Sequence, residues 1–253
     1  MSRLDQALVE RGLCDSREKA KRAVMAGLVR INDHPAQKPS DSVKPDDCLT
    51  LATPEKYVSR GGHKLEHALY HFHLDPRGLT AVDFGASTGG FTDCLLQHGT
   101  AKVYAVDVGQ GQLAWKLRRD RRVVVMEKTN ARNLSPDQFP QPFTPVDLVV
   151  IDCSFISLRK VLPTAIALLR SKGRIVALIK PQFEAGKSEA DKGEGVITDP
   201  AVHERVLGEL RQFVSEQSVL RWHNVTESPL IGPAGNKEFL VLLEKLPDKA
   251  TAT

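Results

Sequence analysis

The stretch of sequence most suggestive of chemistry is Asp83-Phe84-Gly85-Ala86-Ser87-Thr88-Gly89-Gly90-Phe91, which follows a β-branched run and opens a helical pattern. Glycines at a strand-to-helix turn let the backbone approach a ligand closely, and the helix start offers free N–H groups. The string lacks the G-x-x-x-x-G-K-S/T order of a Walker NTPase. Ser87 stands where G-x-G-x-x-G would place its second glycine, which weakens a dinucleotide reading. Asp107 follows Asp83 by 24 residues, at the end of the next β-branched run. In a doubly wound fold a carboxylate at that place can accept two hydrogen bonds from a ribose diol. Asn130-Ala131, in the loop after a third run, is a candidate adenine-edge contact. The competing reading is a Gly-rich turn kept for tight strand–helix packing.

With its strand-two acid, the string looks like the cofactor loop of S-adenosylmethionine-dependent methyltransferases. Asp152 ends a fourth β-branched run and Lys180 a fifth, and carboxyl ends of parallel strands are where such folds hold ligands. A lysine there is either a solvated partner of Asp152 or a base that takes a proton from a hydroxyl, once burial or a neighbouring cation disfavours its charge. Methylation of exocyclic amines usually goes with a D/N-P-P-aromatic run after strand four, but the residues here are Asp152-Cys153-Ser154-Phe155. Carbon-5 pyrimidine methylation needs a cysteine nucleophile, for which Cys153 is a candidate. Its usual Pro-Cys context is missing, and a strand-end cysteine is more often a small apolar residue. Hydroxyl methylation with a lysine base is the chemistry left.

Lys64, in Ser59-Arg60-Gly61-Gly62-His63-Lys64-Leu65, and Glu238, in Gly235-Asn236-Lys237-Glu238-Phe239, complete an ordered set with Asp152 and Lys180. That set resembles the tetrad of the FtsJ-like ribose 2′-O-methyltransferases. Residues 1–246 together resemble the TlyA family, cytidine 2′-O-methyltransferases of ribosomal RNA often labelled hemolysins. Ser87-Thr88 departs from the Ala-Pro of many FtsJ proteins and agrees with the TlyA form. The resemblance implies S-adenosyl-L-methionine as cofactor, held by Asp83, Gly85, Ser87, Thr88, Gly89, Gly90, Phe91, Asp107, Asn130 and Ala131. It implies Lys180 as general base, Asp152 as the group that holds it, and Lys64 and Glu238 as groups that orient the ribose. No metal is required, and the partner would be ribosomal RNA, 16S or 23S, free or in subunits. Spacing alone does not single out Lys64 or Glu238, which read equally well as surface charges.

Positioning these groups takes a sheet. Runs at 80–84, 103–107, 123–127, 146–152 and 174–180 alternate with helical patterns at 91–98, 113–119 and 158–169. The alternation predicts parallel strands with crossover helices, an α/β, Rossmann-like doubly wound sheet. A polar loop over 181–195, a helix at 203–216 and an antiparallel pair of strands at 219–225 and 239–243 would close it. Ahead of it, 1–52 reads as a small α+β unit. Thr53-Pro54 marks a linker over 53–59, the catalytic domain spans 60–246, and 247–253 is a tail. In the small unit Leu4, Leu8 and Val9 fit a helix closed by Gly12. Asp15 and Glu18 read as the capping box of a second helix, with Ala20, Ala23 and Val24 inward. Gly27 ends it, a strand at 28–31 turns at Asn32-Asp33, and another strand lies at 49–51.

The chain has 253 residues, 41% hydrophobic and 26% charged, which excludes wholesale disorder and suffices for a core without cross-links. Cys14, Cys48, Cys94 and Cys153 form no C-x-x-C pair, so neither a disulfide scaffold nor a zinc ribbon is expected and a reducing cytoplasm fits. No run approaches a membrane span, and the first residues pass straight into charged, helix-like sequence with no apolar signal region. A net charge of +4 permits an RNA partner without demanding one; placement carries more. Arg17, Lys19, Lys21 and Arg22 share one helix, with Arg17 and Lys21 on one face. The pattern from Arg3-Leu4-Asp5 through Gly12, Arg17, Ala20 and Gly27 to Asn32 resembles the αL RNA-binding module of a small-subunit ribosomal protein. It implies RNA contacts from Arg3, Arg17, Lys21, Arg22 and Arg60. Residues 116–122 are a second basic cluster, and Lys187 and Lys192 belong to a loop at the mouth of the site. His63, His67 and His71 repeat at helical spacing beside the apolar stripe Leu65, Ala68, Leu69 and Phe72. They read as a solvent- or RNA-facing row ahead of a metal site. Two rival readings are a membrane-active hemolysin and an RNA-binding assembly factor with an inactive methyltransferase domain. The lack of a span or strongly amphipathic apolar segment argues against the first, the intact loop and tetrad against the second.

Overall fold

The computed structural model describes residues 1–52, 55–186, 189, 193 and 195–247. Thr53-Pro54, Lys187, Lys192 and 248–253 of the expected tail lie outside the described residues. The chain divides into two compact units, Met1–Lys56 and Tyr57–Thr253.

In the first unit β1 (Ser2–Arg3) leads into α1 (Leu4–Glu10), followed by α2 (Arg17–Met25), β2 (Val29–Ile31), β3 (His34–Pro35), β4 (Ser42–Val43) and β5 (Leu49–Leu51). Leu4 and Leu8 of α1, Ala20 and Val24 of α2, and Val29, Val43 and Leu49 of the strands form one core. β2 sits between β3 and β5, and β1 pairs with β4. The β2–β3 hairpin turns through Asn32 and Asp33, both at positive φ, which Asn and Asp tolerate better than most residues. The α2 cap is not the expected Asp15. Ser16, in extended backbone, accepts from the Lys19 N–H at 3.3 Å, while Asp15 ion-pairs with the Lys19 side chain. The helix starts one residue later than the capping-box pattern implied, and that start decides which side chain reaches the free amides.

The second unit holds a seven-stranded sheet in the order β11-β12-β10-β9-β6-β7-β8. β6 (Thr80–Phe84), β7 (Lys102–Val106), β8 (Val123–Met126), β9 (Val146–Ile151) and β10 (Leu169–Ile179) are parallel. β12 (Phe239–Lys245) runs antiparallel between β10 and β11 (Leu220–Glu227). This is the expected Rossmann-like, doubly wound sheet with helices on both faces. Alternating side chains divide between two layers. Val82, Phe84, Val149 and Ile151 pack with Leu162 of α6 (Leu158–Leu168) and Leu210 of α8 (Pro200–Glu216). Ala81, Leu148 and Val150 pack with Leu65 and Leu69 of α3 (Gly61–His71) and Leu95 of α4 (Gly90–Gln97). The expected helix at 113–119 shrinks to the single turn α5 (Trp115–Arg118), and the expected loop after Lys180 begins with a helical turn, α7 (Pro181–Glu184). Pro181 sets the first φ of that turn and has no N–H to leave unpaired. Among the described residues no helix is long and apolar enough to cross a membrane.

Candidate active site

Strand order reverses between β6 and β9, so a crevice opens at their carboxyl ends, the usual ligand position in open α/β sheets. Gly85 follows β6 with φ +82°, and a Cβ there would come within 2.7 Å of the Asp152 carbonyl oxygen. Only glycine lets the two strand ends lie this close. Ser87 also adopts a left-handed backbone, φ 49°, so the turn keeps its shape where a glycine would be the easier choice. The Ser87 N–H donates to Asp107 Oδ2 at 2.8 Å and the Gly109 N–H to Oδ1 at 2.7 Å. Each Asp107 oxygen is thereby fixed and keeps a second lone pair for a ligand.

Three neighbouring cavities open at this edge. The first, about 490 Å³, is lined by Gly85, Ser87, Asp107, Asn130, Ala131 and Asp152 among others. The second, about 550 Å³, takes in Arg60, Lys64, Thr88, Gly90, Phe91, Lys180 and Glu238, and shares Gly85, Ser87, Asp152 and Ser154 with the first. The third, about 380 Å³, adds Gln182, Phe183 and Asn236, shares Phe155 with the first, and shares Ser154, Lys180 and Glu238 with the second. Of the residues expected at the cofactor, Asp83 and Gly89 line none of the three. Asp83 is fully buried on the α4 side of the sheet, where its Oδ2 accepts from the Thr92 hydroxyl at 2.6 Å. Its Oδ1 has no hydrogen-bond partner among the described residues, and burial pushes the carboxyl up to about 7, helped by the charge of Asp152. Burial likewise pushes the Cys153 thiol up to about 12, which keeps it from the thiolate a nucleophile needs.

The two lysines and their acids arrive from four elements. Lys180 follows Ile179, which pairs with Phe239, so the antiparallel β12 starts at the edge where β10 ends and sets Glu238 beside it. Lys180 Nζ lies 2.6 Å from Asp152 Oδ1 and 2.9 Å from Ser154 Oγ. Lys64, on the first turn of α3, reaches Glu238 Oε2 at 2.5 Å. Both lysine side chains and Glu238 are buried, with 8%, 6% and 2% of Lys180, Lys64 and Glu238 exposed. Spacing gave no hint of this, because α3 and β12 lie 174 residues apart at the pair they join. Ser154 and Phe155, read in the sequence only as part of the run after strand four, were not expected at the site. Phe155 is 89% exposed at φ 63°, its ring 5.2 Å from that of Phe183.

The walls fit a nucleoside bearing a positive charge. Gly85 is a cradle that a Cβ would fill, Asp107 offers lone pairs to a diol, and Asp152 adds negative charge next to both. Among the described residues no three metal-ligating side chains converge, and His67 meets Thr226 and stacks on His71.

Of the residues expected at RNA, Arg3 and Arg17 both grip Asp5, at 3.0 and 2.8 Å, with about half of each arginine side chain still exposed, 48% and 50%. Lys21 sits 3.4 Å from Glu18, and Arg22 is exposed. Arg60 lines the second cavity and donates to the Ile231 carbonyl at 2.7 Å. In the 116–122 cluster, Lys116 pairs with Asp93, Arg118 with Glu127 and Arg122 with Asp120, while Arg119 lies over the exposed Trp115 ring.

The FtsJ-like methyltransferase model matches residues 57–245 and the S4 domain model residues 2–48. The 16S/23S rRNA (cytidine-2′-O)-methyltransferase TlyA of Mycobacterium tuberculosis is 46% identical, over 98% of this chain and 92% of its own. YqxC of Bacillus subtilis, named as a candidate rRNA methyltransferase, is 48% identical over 95% of this chain and 85% of its own. A solved structure from Streptococcus thermophilus, described as a candidate hemolysin, superposes with TM-score 0.73 at 43% identity, covering 100% of this chain and 92% of the other. A methyltransferase sheet, a small S4 unit ahead of it and relatives matched nearly end to end agree: the chain is an enzyme of the TlyA family, belonging to the FtsJ-like methyltransferases.

Proposed function

We propose that the enzyme methylates the ribose 2′-hydroxyl of a cytidine in ribosomal RNA, 16S or 23S or both, with Lys180 as the base. The observation that carries the reading is the pair of buried, acid-held lysines, Lys180 with Asp152 and Lys64 with Glu238, all four lining the second cavity. The name and near full-length identity of the M. tuberculosis relative support cytidine and rRNA. S-adenosylmethionine, when bound, would supply an electrophilic methyl group on a cationic sulfur, with a neutral thioether as its leaving group. Asp107 would hold its ribose, Asn130 and Ala131 its base, and the Gly85–Ser87 turn its body, with Thr88, Gly90 and Phe91 bordering the second cavity.

Lys180 takes the hydroxyl proton, Asp152 keeps the lysine in place, and Lys64 with Glu238 fixes the ribose. Most of the rate then comes from positioning. The exposed Phe155 ring, tilted against Phe183, offers a stacking face in the third cavity for the base of an extruded nucleotide. The first unit, 1–52 in our reading, would dock structured RNA ahead of the 60–246 catalytic part, with Arg3, Arg17, Lys21, Arg22 and Arg60 meeting phosphates. Replacing Lys180 with Ala is expected to lower methyl transfer roughly 10²- to 10⁴-fold while calorimetry finds S-adenosylmethionine still bound. Near-normal transfer by K180A, read by mass spectrometry of nuclease-protected rRNA, would overturn the assignment.

A further inference from the structure

We propose that Ser154 is a positioning residue for this transfer. Its hydroxyl and the Asp152 carboxylate take up both N–H bonds of the uncharged Lys180 amine and so turn the nitrogen lone pair toward the ribose hydroxyl. The inference rests on the reading of Lys180 as base. A neutral amine carries two N–H groups and one lone pair in a tetrahedral arrangement. Lys180 Nζ has two protein acceptors among the described residues, Asp152 Oδ1 at 2.6 Å and Ser154 Oγ at 2.9 Å. With both N–H bonds so directed, the remaining direction of the nitrogen is the lone pair. Lys64 has one such acceptor, Glu238, so its amine is tethered without being aimed.

Ser154 stands where this aim is useful. Among the described residues it is the one side chain that lines all three cavities, where on the proposed function cofactor, ribose and base would meet. Its own direction is set from both sides. Cys153 packs against the core, and Phe155 turns the backbone sharply at φ 63°. The proton balance is simple. The ribose O–H bond breaks, its electron pair stays on oxygen for the bond to carbon, and the proton joins the Lys180 lone pair. The resulting ammonium keeps its two older N–H bonds on Asp152 and Ser154 and points the new one at the ribose oxygen.

The test compares full-length S154A, S154T, K180A and the unaltered enzyme in single-turnover transfer to unmodified rRNA across pH. Calorimetry with S-adenosylmethionine and filter binding of the rRNA accompany it. S154A is expected to lower the plateau of the rate–pH curve roughly 10- to 100-fold, with both affinities changed by less than about twofold. S154T keeps the oxygen and is expected to recover the rate to within about threefold. The inference falls if S154A transfers at the original rate, if S154T is as slow as S154A, or if S154A loses cofactor affinity in step with rate. It falls equally if S154A is faster, which would mean that the hydroxyl donates into the lone pair. An active K180A removes the base assignment itself, whereas an inactive K180A beside a fully active S154A removes only the role of Ser154.

Discussion

The acids at the carboxyl edge of the sheet are held in three ways, and the difference sets what each can do. Asp107 is fixed by two backbone N–H groups, Asp152 and Glu238 by lysines, and Asp83 by one threonine hydroxyl in full burial. An acid raised on folding weakens the fold as pH climbs. Between its ordinary 3.8 and about 7, folded Asp83 keeps a proton that the unfolded chain has released. Stability therefore falls across that window and is flat above it. Asp83→Asn keeps an acceptor for Thr92 and removes the titration, so its melting temperature should change less than that of the original chain from about pH 5 to about pH 8. Parallel curves in differential scanning calorimetry would count against a titrating Asp83. The aspartate that opens the glycine-rich string thus acts beneath the cavities, locking β6 to α4.

At the scale of elements, Asp5 does similar work in the S4 unit with the opposite sign. Hydrogen bonds from Arg3 and then Arg17, with their charges, hold its carboxyl down at about 2 despite burial, joining the start of α1 to the start of α2. Its contribution is complete above an ordinary 3.8 and is lost as pH falls toward about 2. Asp5→Asn should speed amide exchange in α1 and α2 roughly five- to thirtyfold, the equivalent of about 1–2 kcal/mol. Unchanged protection would show that the arginines hold nothing together. The strands and helices of the sheet were legible because β-branched runs and helical patterns alternate in order, and Gly85, Asp107, Asp152 and Lys180 were legible because they sit at strand ends. Lys64 and Glu238 were not legible from spacing, since the register of β12 against β10 brings them together and no local pattern encodes it. The family resemblance named them. Ser154 was missed because its value lies in a partner 26 residues away. The α2 cap was off by one residue because Asp15 and Ser16 are both good capping types and only the backbone chooses between them.

For the molecule as a whole, charge matters by where it is left free. Arg3, Arg17, Arg118 and Arg122 are already engaged by acids, whereas Arg22 is exposed and Lys21 is only loosely paired. Replacing Lys21 and Arg22 together with Ala should weaken rRNA binding uniformly and reduce the slope of log affinity against log salt by about 1–2. S-adenosylmethionine affinity should be unchanged, because the first cavity is lined entirely by residues of the second unit. An unaltered salt slope would move the phosphate contacts elsewhere. The placement of β12 between β10 and β11 carries a consequence for how the enzyme comes into being. Ribosomes make a protein from its N-terminus, so the S4 unit and the lining of the first cavity emerge first and Glu238 arrives with the strand made last of the seven. On the proposed mechanism, a half-made chain can already present the wall of the first cavity and still be unable to fix a ribose. Catalytic competence then waits for β12, and a chain interrupted before that strand is a silent one.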